Sequence, residues 1–215
     1  MSPRQQLILV VAASVWIAAG VFGFAFLLDY SVQPGAPASA PQQWPSDSRI
    51  PAPQGHHVLV MTIHPHCPCS RASVTELNNM MALLRGTGVK GYVVVVKPAE
   101  FANEWVETES YRSAGRIPGV EVLLDVDGVE SARLGAQTSG QVLLYGPDGG
   151  LLFAGGLTPD RGHLGDSPGQ HRILSLVKTG TADAKESLVF GCSLGATICP
   201  LPPRAVNKSA ADKGV

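Results

Sequence analysis

The chain has 215 residues, 45% of them hydrophobic and 15% charged, which fits a folded protein and excludes a wholly disordered one. Sixteen Lys and Arg against seventeen Asp and Glu leave a net charge of −1, so no long-range field recruits a nucleic acid and none is expected as a partner. The length admits one ordinary domain with appendages.

Residues 7–28 (LILVVAASVWIAAGVFGFAFLL) carry no charge. At about 1.5 Å per helical residue such a run crosses the roughly 30 Å hydrocarbon core of a bilayer once. It exceeds the apolar region of a cleaved signal peptide, about 7–15 residues. The cleavage-like Ala38-Ser39-Ala40 lies well beyond it, so residues 1–30 read as an uncleaved anchor. Arg4 precedes the span and Asp29 follows it. The positive-inside tendency then leaves the short N-terminus in the cytoplasm and the rest in the periplasm or another extracytoplasmic space. Residues 31–54 hold six prolines among Gly, Ala, Ser and Gln, a composition that predicts an extended, solvated tether. Residues 55–190 suffice for one compact domain, and 191–215 are a cysteine-containing C-terminal segment with a loose tail.

Within the domain, residues 57–63 (HVLVMTI) read as a strand, and 70–85 place Val74, Leu77, Met81 and Leu84 at helical spacing. Residues 92–96 (YVVVV) are apolar on both faces, as in a strand between two layers. Pro98 and Glu100 open a helix carrying Phe101 and Trp105 that ends before Gly115. A strand over 120–126 follows, with Glu121, Asp125 and Asp127 read as its solvated polar finish. A short helix over 129–134 comes next. Two strands, 142–145 and 151–154, flank Gly146-Pro147-Asp148-Gly149-Gly150 and form a hairpin, and Ile173, Leu174 and Val177 mark a closing helix. This order describes an α/β three-layer sandwich with a mixed central sheet.

Chemistry concentrates between the first strand and its helix, in His64-Pro65-His66-Cys67-Pro68-Cys69-Ser70. Cys67 falls at the expected helix N-terminus, with Pro68 at the first helical position. There, unpaired backbone N–H groups and the helix dipole favour the thiolate and lower the pKa below its free value of about 8.5. A protonated His66 would add to this, and the Ser70 hydroxyl is placed to donate to the sulfur.

These residues resemble the thioredoxin-like superfamily, whose redox cysteine follows the first core strand at the start of a helix. More narrowly, HPHCPCSRAS, residues 138–145 (TSGQVLLY), Gly155-Gly156-Leu157-Thr158, Arg161-Gly162-His163 and Gly165-Asp166 are similar to bacterial membrane-anchored RedB-type thioredoxin-like proteins. The resemblance covers residues 57–192 and implies a thioredoxin-like fold and a thiol-disulfide oxidoreductase. It departs in three places. The spacing is C-x-C, with Ser70 where the second cysteine of C-x-x-C stands. Gly140 occupies the position of the family's cis-proline. The first strand also lacks the buried carboxylate of the family.

On this reading Cys67 and Cys69 are catalytic, the partner is a protein thiol or disulfide, and no cofactor is required. Cys69 can resolve a mixed disulfide on Cys67 if Cys67 stands outside the regular helix. Cys192 and Cys199 are further candidates, and they can equally pair with each other as a structural staple. Two other functions stay open. Cys67 and Cys69, with His64, His66 and the remote His163, offer ligands for copper delivery. A tethered, non-catalytic adaptor is the third class. Met80 and Met81 read as core filler rather than metal ligands.

Overall fold

The computed structural model describes residues 2–195. The expectations for Cys199 and the C-terminal tail lie outside the described residues.

The first element is α1 (Pro3–Val32), opened by Ser2, whose hydroxyl accepts from Gln5 N–H while the Gln5 side chain returns the bond to Ser2 N–H. Its most apolar stretch has a mean hydropathy of 2.4 with no residue buried. By length and composition it can cross a membrane, and it encloses the uncharged run.

The domain is built on β1 (Val58–Ile63), β2 (Lys90–Lys97), β3 (Val120–Val126), β4 (Gln141–Tyr145) and β5 (Leu151–Gly155). They stand in the order β3-β2-β1-β4-β5. The pairs β1/β2 and β2/β3 are parallel, whereas β4 runs antiparallel to β1 and to β5. Every residue of β1 and all but the first of β2 are buried, as interior strands covered on both faces require. Side chains alternate between two cores. On one face Leu59, Met61, Ile63, Val93, Val95 and Leu144 meet α2 (Ser70–Leu83), α3 (Glu109–Ala114) and α5 (Pro168–Thr179). On the other, Val58, Val60, Tyr92, Val94, Leu143 and Tyr145 gather with Ile50 and Leu134, beside α4 (Val129–Arg133). Three layers around a mixed sheet give the α/β sandwich that the element order predicts, and Met80 and Met81 are core as expected.

Three expectations need correction. The helix expected from Pro98 to Gly115 is two pieces, a 3-10 turn (Asn103–Val106) and α3, because Thr108 takes extended backbone and its hydroxyl accepts from Tyr111 N–H, starting a new helix. Asp125 is not solvated. It is fully buried, and it accepts from Glu130 N–H at 2.8 Å, Ser131 N–H at 2.8 Å and the Ser131 hydroxyl at 2.7 Å, which caps α4.

The third concerns the tether, which is extended as its prolines predict but packed rather than solvated. Because α4 spans only five residues, much of the second sheet face is left for other chain to cover, and residues 36–50 lie along it. Ser39 N–H bonds Gly135 O at 2.8 Å, Leu151 N–H bonds Gln42 O at 2.9 Å and Trp44 N–H bonds Gly149 O at 2.8 Å. The Trp44 ring meets Tyr145 edge-on at 4.9 Å, and the Tyr145 hydroxyl donates to Pro41 O at 3.0 Å. The approach is so close that a Cβ on Gly135 would lie 2.1 Å from Ser39 O.

Candidate active site

After β1 the chain makes two consecutive turns before helix forms. Cys67 N–H bonds His64 O at 3.0 Å and Ser70 N–H bonds Cys67 O at 3.1 Å, so the first helical bond, Ser73 N–H to Cys69 O at 3.2 Å, starts from Cys69. The N-cap is therefore Cys69 and not Cys67, and Pro68 lies in the exposed turn ahead of the helix rather than at its first position. Cys67 stands outside the regular helix, as closure with Cys69 requires.

The Ser70 hydroxyl does not reach the sulfur. It donates to His64 O at 3.0 Å, so its 2.8 Å contact with Ser139 Oγ is a bond it accepts. Ser139 Oγ in turn accepts from His64 N–H at 2.9 Å. All three groups are buried, and together they clamp the cysteine turn to the loop before β4. Gly140, next in that loop, has φ +89°, and a Cβ there would lie 2.7 Å from Ser73 Oγ, so both backbone and space demand glycine.

The histidines form an aromatic wall. His66 is exposed, and its Nε2 donates to Trp105 O at 2.8 Å instead of turning toward the sulfur. His64 is 4% exposed with its ring edge-on to Trp105 at 5.5 Å, and its Nδ1 accepts from His66 N–H at 3.3 Å. Burial pushes the His64 pKa below 6.5, helped by His66 and opposed by Cys67. His163 pairs with Asp160, on an exposed loop. Among the described residues no group of three or more His, Cys, Asp or Glu is arranged to hold a metal ion.

What surrounds Cys67 instead is the C-terminal segment. Cys192 N–H donates to Cys67 Sγ at 3.4 Å. Ser139 N–H bonds Cys192 O at 2.8 Å and Leu194 N–H bonds Gln137 O at 2.9 Å, so residues 192–194 run antiparallel to 137–139. Val189, Phe190 and Leu194 are buried in this seat, and Cys67 itself is 2% exposed.

The sulfur is nonetheless well supplied with donors. Side-chain hydrogen bonds from Cys192 and Cys69, together with the backbone N–H groups of both, hold the Cys67 thiol far below its ordinary 9.0 against the opposing effect of burial. Cys69 moves the other way: its S–H bond to Cys67 and its burial hold its proton, with Arg161 a weaker opposing influence. The two shifts run in opposite directions, favouring the charge on Cys67 and the proton on Cys69.

Arg161 enters the sequence reading only within the Arg161-Gly162-His163 segment, with no role assigned to it. Its Nη1 donates to Gly191 O at 2.9 Å, its Nε donates to Gln33 O at 3.0 Å, and its guanidinium lies 4.9 Å from the Tyr30 ring centroid. It thus ties the end of α1 to the C-terminal segment and to Cys69.

No protein-family model matches the chain, and no curated protein matches it significantly. Solved structures do. A hypothetical protein from Sinorhizobium meliloti superposes with TM-score 0.55 at 17% identity, over 77% of this chain and 95% of that one. An uncharacterised conserved protein from Geobacillus kaustophilus gives 0.54 at 17% identity, over 76% and 90%. A secreted Mycobacterium tuberculosis disulfide oxidoreductase homologous to Escherichia coli DsbE gives 0.41 at 19% identity, over 58% and 82%. At 17% identity the first two show a likeness of fold alone.

Proposed function

We propose that the chain is a membrane-anchored thiol-disulfide oxidoreductase, held by α1 with its domain in the periplasm or another extracytoplasmic space, that exchanges disulfides with a protein partner. The observation that carries this reading is a cysteine sulfur at the strand-to-helix turn that accepts hydrogen bonds from two directions, from Cys192 N–H at 3.4 Å and from Cys69. Such donors stabilise the thiolate, which is the nucleophile in exchange. Cys67 attacks one sulfur of a client disulfide, forms a mixed disulfide and expels the other sulfur as a thiolate. Cys69 keeps its proton, and its S–H bond steadies the attacking thiolate. The chemistry needs no bound cofactor, and it runs in either direction according to the partner's potential.

The test is disulfide exchange by the full-length protein in detergent against a disulfide-bonded model protein. Cys67→Ser is expected to abolish turnover, and Cys69→Ser to slow it while shifting its pH profile. Unchanged turnover in Cys67→Ser would overturn the proposal.

A further inference from the structure

We propose that residues 189–194 act as a built-in client strand, and that Cys192 is the thiol that resolves mixed disulfides on Cys67. The inference rests on the exchange reaction proposed above and names the residue that completes it.

Three observations carry it. The segment is seated by backbone hydrogen bonds to the loop before β4, with Ser139 N–H on Cys192 O and Leu194 N–H on Gln137 O, the way an added strand docks on a free edge. That register brings Cys192 to the reactive sulfur: its N–H lies 3.4 Å from Cys67 Sγ, so its Cα is within about 5 Å of that atom once an N–Cα bond of about 1.46 Å is added. The seat is also built for close backbone approach. A Cβ on Gly191 would lie 1.9 Å from Ser139 O, and Arg161 fastens Gly191 O from the other side. Cys69, by contrast, is two residues from Cys67, and a disulfide closing so small a ring departs from relaxed geometry.

The step balances as follows. Cys67 thiolate and a client disulfide give a mixed disulfide and one client thiolate. Cys192 gives up its proton to that thiolate and attacks Cys67 Sγ, so the Cys67–client S–S bond breaks, the Cys67–Cys192 bond forms and the second client sulfur leaves as thiolate. Two electrons have passed from the two chain sulfurs to the client. In reverse, the internal disulfide oxidises a client dithiol. Because the segment fills the place beside Cys67, a client strand enters only when residues 189–194 lift away.

The experiment uses the full-length protein in detergent, oxidised by glutathione disulfide and mapped by peptide mass spectrometry. A Cys67–Cys192 linkage is expected in the wild type and in Cys69→Ser. Gly191→Val, which collides with the Ser139 carbonyl, should slow its formation at least tenfold and open Cys67 to alkylation. A Cys67–Cys69 or Cys192–Cys199 linkage alone would overturn the inference. In Cys69→Ser/Cys192→Ser, a persistent glutathione adduct on Cys67 upholds the exchange reaction independently of this inference, whereas its absence removes both.

Discussion

The backbone N–H of Cys192 is aimed at the sulfur of Cys67 across 3.4 Å, although the two residues are 125 positions apart. The relationship makes the reactivity of Cys67 a property of two chain segments. Replacing Cys192 with Ser removes its thiol but keeps the N–H. The Cys67 pKa should then stay below 9.0 and be raised further by Gly191→Val, which displaces the N–H as well. The pH dependence of Cys67 alkylation checks this, and identical profiles for the two variants would contradict it.

Ser139→Ala removes the acceptor of His64 N–H and the donor to Ser70 Oγ, both in a fully buried clamp. A buried polar group left unpaired costs about 1–3 kcal/mol, so denaturant unfolding should show a loss in that range. Cys67 should become easier to alkylate in the folded state as its turn loosens.

His64 gives a pH signature with a definite sign. Burial holds its folded pKa below 6.5, so the unfolded chain takes up the proton first as pH falls. Stability is therefore complete above about 6.5 and declines below it until the folded pKa is passed. His57 shifts in the same direction, so His64→Gln should flatten the decline without abolishing it. An unchanged slope in the variant would contradict the assignment.

The packed tether makes its own prediction. Tyr145 is fully buried, its pKa is pushed up to about 12 by burial, and its hydroxyl reaches Pro41 O. Tyr145→Phe should cost about 0.5–1.5 kcal/mol and raise the rate of proteolysis within residues 36–50. Equal proteolysis in both proteins would mean that this bond does not hold the segment.

The sheet and its main helices were legible in the sequence because burial writes itself as pattern. The uniform apolar run of β2 announced a strand covered on both faces, and the glycine-proline turn between β4 and β5 announced a hairpin. The site was legible only in part. Cys67 was identifiable from its place after β1, but the two turns that make Cys69 the cap depend on backbone hydrogen bonds with no compositional signal. Ser70 sends its proton to His64 O instead of the sulfur, held there by a bond it accepts from Ser139, 69 positions away, which no local pattern signals. The prolines of the tether announce extension, but composition does not say what the extended chain lies against. Asp125 differs from its solvated reading for a related reason: a carboxylate at a strand end looks solvated until the next helix turns its N–H groups onto it.

The central claim is that Cys67 is ionised at neutral pH. Ultraviolet absorbance of the reduced full-length protein against pH, compared with Cys67→Ser, tests it most directly. The account predicts one thiolate already present at neutral pH and absent in the variant, with Cys69 resisting ionisation into strong alkali. Titration of every thiol near the ordinary 9.0, unchanged by Cys67→Ser, would contradict it.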